Sequence, residues 1–115
     1  MKVYSSGMVD GVFNDQYGKR GTQFSEGGIP TCSIPVQIED APAGTVCYAL
    51  VLEDKDAYPI SGGFAWIHWL AGNITRTELL ENESQTATDF VQGANSWTSI
   101  QGGGQSMELS SFYGG

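Results

Sequence analysis

The stretch Val46–Leu70, VCYALVLEDKDAYPISGGFAWIHWL, constrains the fold more than any other part of the chain. It opens with an unbroken apolar run, Val46–Leu52, with the β-branched and aromatic content of a fully buried strand. The chain then turns acidic at Glu53-Asp54-Lys55-Asp56 and runs through Ala57–Gly63, a segment rich in turn residues. A second strand-like run, Phe64–Leu70, carries the only histidine of the protein. Two such runs predict an antiparallel hairpin. Asp54 and Asp56 lie two residues apart, so in extended chain both carboxylates point to one side. Phe64, Trp66, His68 and Leu70 share a side by the same alternation. A turn centred near Ser61 pairs Asp54 with His68 and gathers two acids, an imidazole and an indole at one strand end.

At 115 residues the chain is expected to form one domain around a single core. Thirteen acidic residues against five basic ones give a net charge of -8. Such a surface repels phosphate backbones, which argues against nucleic acid as a partner. A local anion site remains compatible with it, because histidine and backbone N–H groups act at short range. Sixteen glycines and few charged residues suit an all-β, loop-rich domain better than a helical one.

The start, MKVYSSGMVDG, lacks the apolar run of a signal peptide, and no segment approaches the roughly 20 apolar residues of a membrane span. A cytoplasmic location is the resulting expectation. Cys32 and Cys47 have no CxxC spacing and no cluster with the single histidine, which excludes a structural zinc site; reduced, buried thiols are expected. No other feature implies a cofactor or a metal.

Before the hairpin, Gly11-Val12-Phe13 and Phe24 look like strand pieces between turns, and Gly18-Lys19-Arg20-Gly21 reads as a loop. Ile34–Ile38 alternates, and its Pro35 points to an edge strand or a bulge. After the hairpin, Thr75–Thr86 is the one helical candidate. Thr75 and Glu78 match a capping box, and Leu79 and Leu80 supply the apolar positions. Glu78, Glu81 and Glu83 then form a solvated helix face. Trp69 and Trp97 are expected to pack in the core or at a corner. Gly102–Gly104 lacks the lysine and hydroxyl of a phosphate-cradling loop.

Several segments together resemble a known family. They are GGIPTCSIPVQIEDAPAGTVCYALVLEDKDAYP, FAWIHWLAGNI, FVQGANSWTS and the closing FYGG. They are similar to the phosphatidylethanolamine-binding protein family, in particular its bacterial Raf-kinase-inhibitor-like branch, from about Phe24 to the last residue. The most specific pieces are Asp54-Lys55-Asp56-Ala57-Tyr58-Pro59, which resembles an Asp-Pro-Asp-Ala-Pro motif, and Trp66-Ile67-His68-Trp69. Lys55 stands where the motif has its middle proline, and Tyr58 is an insertion. The resemblance implies a mainly β fold, a Greek-key β-sandwich with one short helix and a small anion-binding cavity at one end. Carried over position by position, it implies ligand-binding roles for Asp54, Asp56, Ala57, Pro59, Trp66, His68, Gly114 and Gly115. The family's Pro-Pro and His-Arg-Tyr elements lie beyond Gly115. That predicts a shortened chain with an open sheet edge, which a homodimer or a second chain would complete.

In this reading His68 meets the anion as an imidazolium oriented by Asp54, and Trp66 lines the pocket. Gly114 and Gly115 let backbone N–H groups approach the ligand. The two carboxylates orient the ring and bond loop N–H groups. The function expected first is binding of a small anion, such as a phosphorylated head-group. An inhibitor that docks on a kinase or protease is the alternative. An acid–base hydrolase using His68 and Asp54 ranks third, since no G-x-S-x-G turn and no second histidine supports one.

Overall fold

Every backbone N–H and C=O of the apolar hairpin needs a partner, and antiparallel pairing supplies most of them. The structure, a computed structural model, describes residues 1–115. Its strands are β1 (Lys2–Tyr4), β2 (Met8–Val9), β3 (Val12–Phe13), β4 (Val36–Glu39), β5 (Tyr48–Asp54), β6 (Trp66–Ile74), β7 (Glu78–Leu79) and β8 (Val91–Gly93). Two one-turn helices, α1 (Tyr58–Ser61) and α2 (Met107–Ser110), accompany them, with 3-10 turns at Asp15–Tyr17 and Ser96–Thr98. One three-stranded sheet has the order β1-β4-β7 and another the order β5-β6-β8; β2 and β3 form a separate hairpin. The chain is mainly β, as expected.

The core lies between the two three-stranded sheets. Ile34, Val36 and Leu79 come from one side, and Trp69, Ala71 and Ile74 from the other. Trp69, fully buried, has the Tyr113 ring edge-on at 5.7 Å and Phe90 at 6.4 Å. Ser84, Gln92 and the Trp69 indole pair with one another in this interior, whereas Trp97 Nε1 and Ser110 Oγ are buried without a partner. Ser84 Oγ donates to Gln92 Oε1 (2.6 Å) and accepts from the Tyr113 backbone N–H (2.9 Å). Trp69 Nε1 donates to the same Gln92 oxygen at 2.8 Å.

Four expectations change. First, β5 is not buried on both faces. Tyr48, Leu50 and Leu52 pack toward the core while Ala49, Val51 and Glu53 alternate outward, because only one face of this antiparallel sheet packs on the core. Second, β4 is the middle strand of its sheet rather than an edge. Pro35 stands one residue before the ladder begins, so its missing N–H breaks no pairing. Third, Thr75–Thr86 is not a helix. Leu79 is needed opposite Val36 in the core, and that burial overrides local propensity. Asn82 then takes a left-handed φ of 60°, and Glu83 caps the turn by accepting the Leu80 N–H at 2.6 Å. Glu78, Glu81 and Glu83 therefore share no helix face. Fourth, helix occurs elsewhere, in the hairpin connection itself. Pro59 presets the first turn of α1, and Gly62, at φ 83°, ends it.

The two thiols are free, but only Cys32 is buried; Cys47, just before β5 begins, is exposed, contrary to expectation. No helix is long and apolar enough to cross a membrane.

Candidate functional site

Strict alternation fails at His68, and that failure makes the site. Leu52 pairs with Trp69 and Glu53 with Ile67, so two steps on β6 match one step on β5. His68 is the extra residue of a β-bulge. Asp54 consequently pairs with Trp66, not with His68. The bulge also flips parity. Trp69, beside Leu52, continues the core side, while Leu70 joins Val51 on the outer face. A bulge re-aims one side chain at the cost of a local break in the ladder.

The His68 ring bonds the C-terminal segment instead of an aspartate. Nδ1 lies 2.7 Å from the Gly114 carbonyl oxygen, and the Gly114 N–H donates back to the His68 carbonyl at 2.8 Å. A carbonyl only accepts, so Nδ1 carries a proton and Nε2 is the nitrogen left without a partner in the protein. His68 makes no ion pair with Asp54. Asp54 Oδ1 accepts the Asp56 N–H at 2.8 Å, which closes a local Asx turn at the end of β5.

His68 faces a cleft of about 780 Å³. Its walls come from three places: the segment Val12–Arg20, the end of β5 with Lys55 and Asp56, and the Tyr113–Gly115 segment. Lys19, Arg20 and Lys55, three of the five basic residues of the chain, line it. Asp15, Glu53, Asp54 and Asp56 line it too. Lys55 pairs with Glu53 at 3.3 Å and Arg20 with Asp15 at 3.9 Å, while Lys19 makes no ion pair. Tyr113 secures the floor by donating its hydroxyl to the Tyr17 carbonyl at 2.7 Å, and Tyr17 donates to Glu81. Burial pushes both phenols well above their ordinary pKa, and Glu81 adds to the rise at Tyr17. No group of three His, Cys, Asp or Glu side chains is placed to hold a metal ion.

Of the eight residues expected at the site, Asp54, Asp56, His68 and Gly115 line the cleft. Ala57 and Pro59 belong to the start of α1, behind the Asx turn. Trp66 is buried, stacked on Phe64 and edge-on to Trp97 at 5.6 Å, so it supports the strand rather than the cleft wall. The two glycine N–H groups are not aimed at a ligand. Gly114 donates to His68 and Gly115 donates to the Pro30 carbonyl at 3.0 Å. Glycine is needed there for close packing. A Cβ on Gly114 would stand 2.6 Å from Asn95 Nδ2 and 2.7 Å from Trp97 Cδ1. Sequence reasoning missed Lys19, Arg20 and Tyr113. The basic pair between Gly18 and Gly21, in so acidic a chain, was the signal available.

A family model described as phosphatidylethanolamine-binding protein matches residues 7–115, beginning before the likeness noted from Phe24. The uncharacterized protein YxkA of Bacillus subtilis (strain 168) is 39% identical over 90 residues, 75% of this chain and 53% of YxkA. The chain thus spans about half the length of the curated relative it matches.

Proposed function

The chain belongs to the phosphatidylethanolamine-binding protein family, and on that premise we propose that it binds a small anion, a phosphate or phosphorylated head-group, in the cleft beside His68. One observation carries the reading. A chain of net charge -8 gathers three of its five basic residues and its only histidine around a single cleft. The carboxylates there are largely engaged, Glu53 and Asp15 by cations and Asp54 by a backbone N–H. Lys19 and His68 Nε2 are left to meet an anion. A donor at Nε2 beside the Lys19 ammonium gives an anion a charge-assisted hydrogen bond.

Binding rather than turnover is favoured by the lining. It contains no Ser, Thr or Cys, and its two phenols hold their protons tightly. The test is a titration of isotope-labelled protein with inorganic phosphate at mildly acidic pH. Amide shifts are expected at Lys19, Asp54, His68 and Gly115, and His68→Ala should weaken binding on the order of tenfold. Absence of shifts at these residues with tens of millimolar phosphate would refute the proposal.

A further inference from the structure

One edge of the β5-β6-β8 sheet is β5, and it carries none of the devices that protect an exposed edge. The other edge strands are short: β1 and β8 have three residues each and β7 has two. β5 has seven, and from Tyr48 to Leu52 it holds no charge and no proline. Nor is it bulged. Ile74 to Ala71 takes three steps against two from Tyr48 to Leu50, so this register shift, like the one at His68, puts its additional residue on β6. Apart from the ladder with β6, no backbone–backbone hydrogen bond reaches any residue from Val46 to Glu53. A row of N–H and C=O groups therefore faces outward unpaired.

Beside this row the molecule is open. A hollow of about 340 Å³ separates β5 from β1, the edge of the other sheet. Fifteen of its sixteen lining residues are hydrophobic, among them Ile38, Leu50 and Ile74. A strand added to β5 here would satisfy the free backbone groups and send every second side chain into the hollow. Water finds almost no hydrogen-bond partner there, so those side chains need to be apolar.

Charge decides the ends of that strand. The hollow reaches the charged cleft at Ile34 and Leu52. At that end Glu53, Asp54 and Asp56 stand against a single cation, Lys55. β4 runs away from Ile34 to the opposite end, where Glu39 and Asp40 stand against Lys2 alone. Both ends are net acidic, and basic residues at the two ends of an incoming strand match them. A second copy would bring a net charge of -8 to a molecule that already carries -8, which disfavours it as the occupant.

We propose that the outer edge of β5 accepts one extended segment of another polypeptide, apolar at alternate positions and basic at both ends. The inference is independent of the anion reading of the cleft. Its test uses two short acetylated and amidated peptides of alternating valine and threonine, one ended by lysines and the other by glutamates. The lysine-ended peptide should shift the amides of Tyr48–Leu52, slow their hydrogen exchange and shift the methyls of Ile38, Leu50 and Ile74. Its affinity should fall with added salt, and the glutamate-ended peptide should bind roughly tenfold more weakly at low ionic strength. Val51→Lys, at an exposed position of β5, should abolish binding, and Val91→Lys, on the opposite edge of the sheet, should leave it unchanged. Each variant's own spectrum checks its fold.

Absence of protection at Tyr48–Leu52 with millimolar lysine-ended peptide overturns the acceptor edge. Equal affinity for the two peptides overturns the assignment of a basic partner. A dimer in sedimentation that tightens with salt and dissociates on Val51→Lys also overturns the proposal, the occupant then being a second copy.

Discussion

At the scale of single residues, Gly114 connects the histidine to the rest of the molecule. Its carbonyl fixes the imidazole tautomer and its N–H holds the strand that bears the ring. No room exists for a Cβ, since Asn95 and Trp97 already touch that position. Gly114→Ala should therefore push the segment off β6 and cost about 1–3 kcal/mol, the range for losing buried hydrogen bonds. Urea denaturation would measure the loss, and phosphate affinity should fall with it. An unchanged midpoint would mean that the segment gives way without strain.

Among the elements, the loop from β7 to β8 is where charge, not apolar packing, does the fastening. Arg76 donates from Nε and one terminal nitrogen to Asp89, from the other to Glu83 at 2.7 Å and to the Glu78 carbonyl, and stands 5.5 Å over the Phe90 ring. Hydrogen bonding from Arg76 holds the Asp89 carboxyl below its ordinary pKa. A carboxyl depressed in the folded state stabilises above its unfolded value, and the stabilisation disappears as the pH falls through the folded one. Arg76→Gln should lower the melting temperature by roughly 5 °C near neutrality. The gap from the parent should narrow below the usual aspartate range, which melting curves across acidic pH would follow.

The same loop explains what could be read in the sequence. The hairpin was legible because Val46–Leu52 and Phe64–Leu70 are apolar runs of strand length on either side of a segment rich in turn residues. The helix expected over Thr75–Thr86 was not there, because Leu79 answers to Val36, some forty positions away. The bulge was equally hidden, since one unpaired residue leaves no mark in an alternating run. Asp54 and His68 could be assigned to one end of the hairpin, but the imidazole's true partner, Gly114, lies 46 residues downstream. Lys19 and Arg20 reach the cleft only through the fold of the N-terminal segment, and so read as an ordinary loop.

Over the whole molecule, the site depends on contacts between distant parts of the chain. Tyr113 bonds to Tyr17 across a separation of 96 positions, and Gly115 to Pro30. Tyr113→Phe keeps the ring in the core but strands the Tyr17 carbonyl. We expect a loss of about 1–2 kcal/mol in chemical denaturation and weaker phosphate binding, because the segment carrying Lys19 is less firmly held. Loss of stability with undiminished affinity would show that the two ends need not be tied for the cleft to work. The placement of Tyr113–Gly115 also sets a schedule for biosynthesis. While those three residues remain inside the ribosomal tunnel, the imidazole has no carbonyl to lean on and the cleft has no floor. A nascent polypeptide can lay down its hairpin early, yet it acquires a place for a ligand only once position 115 has emerged.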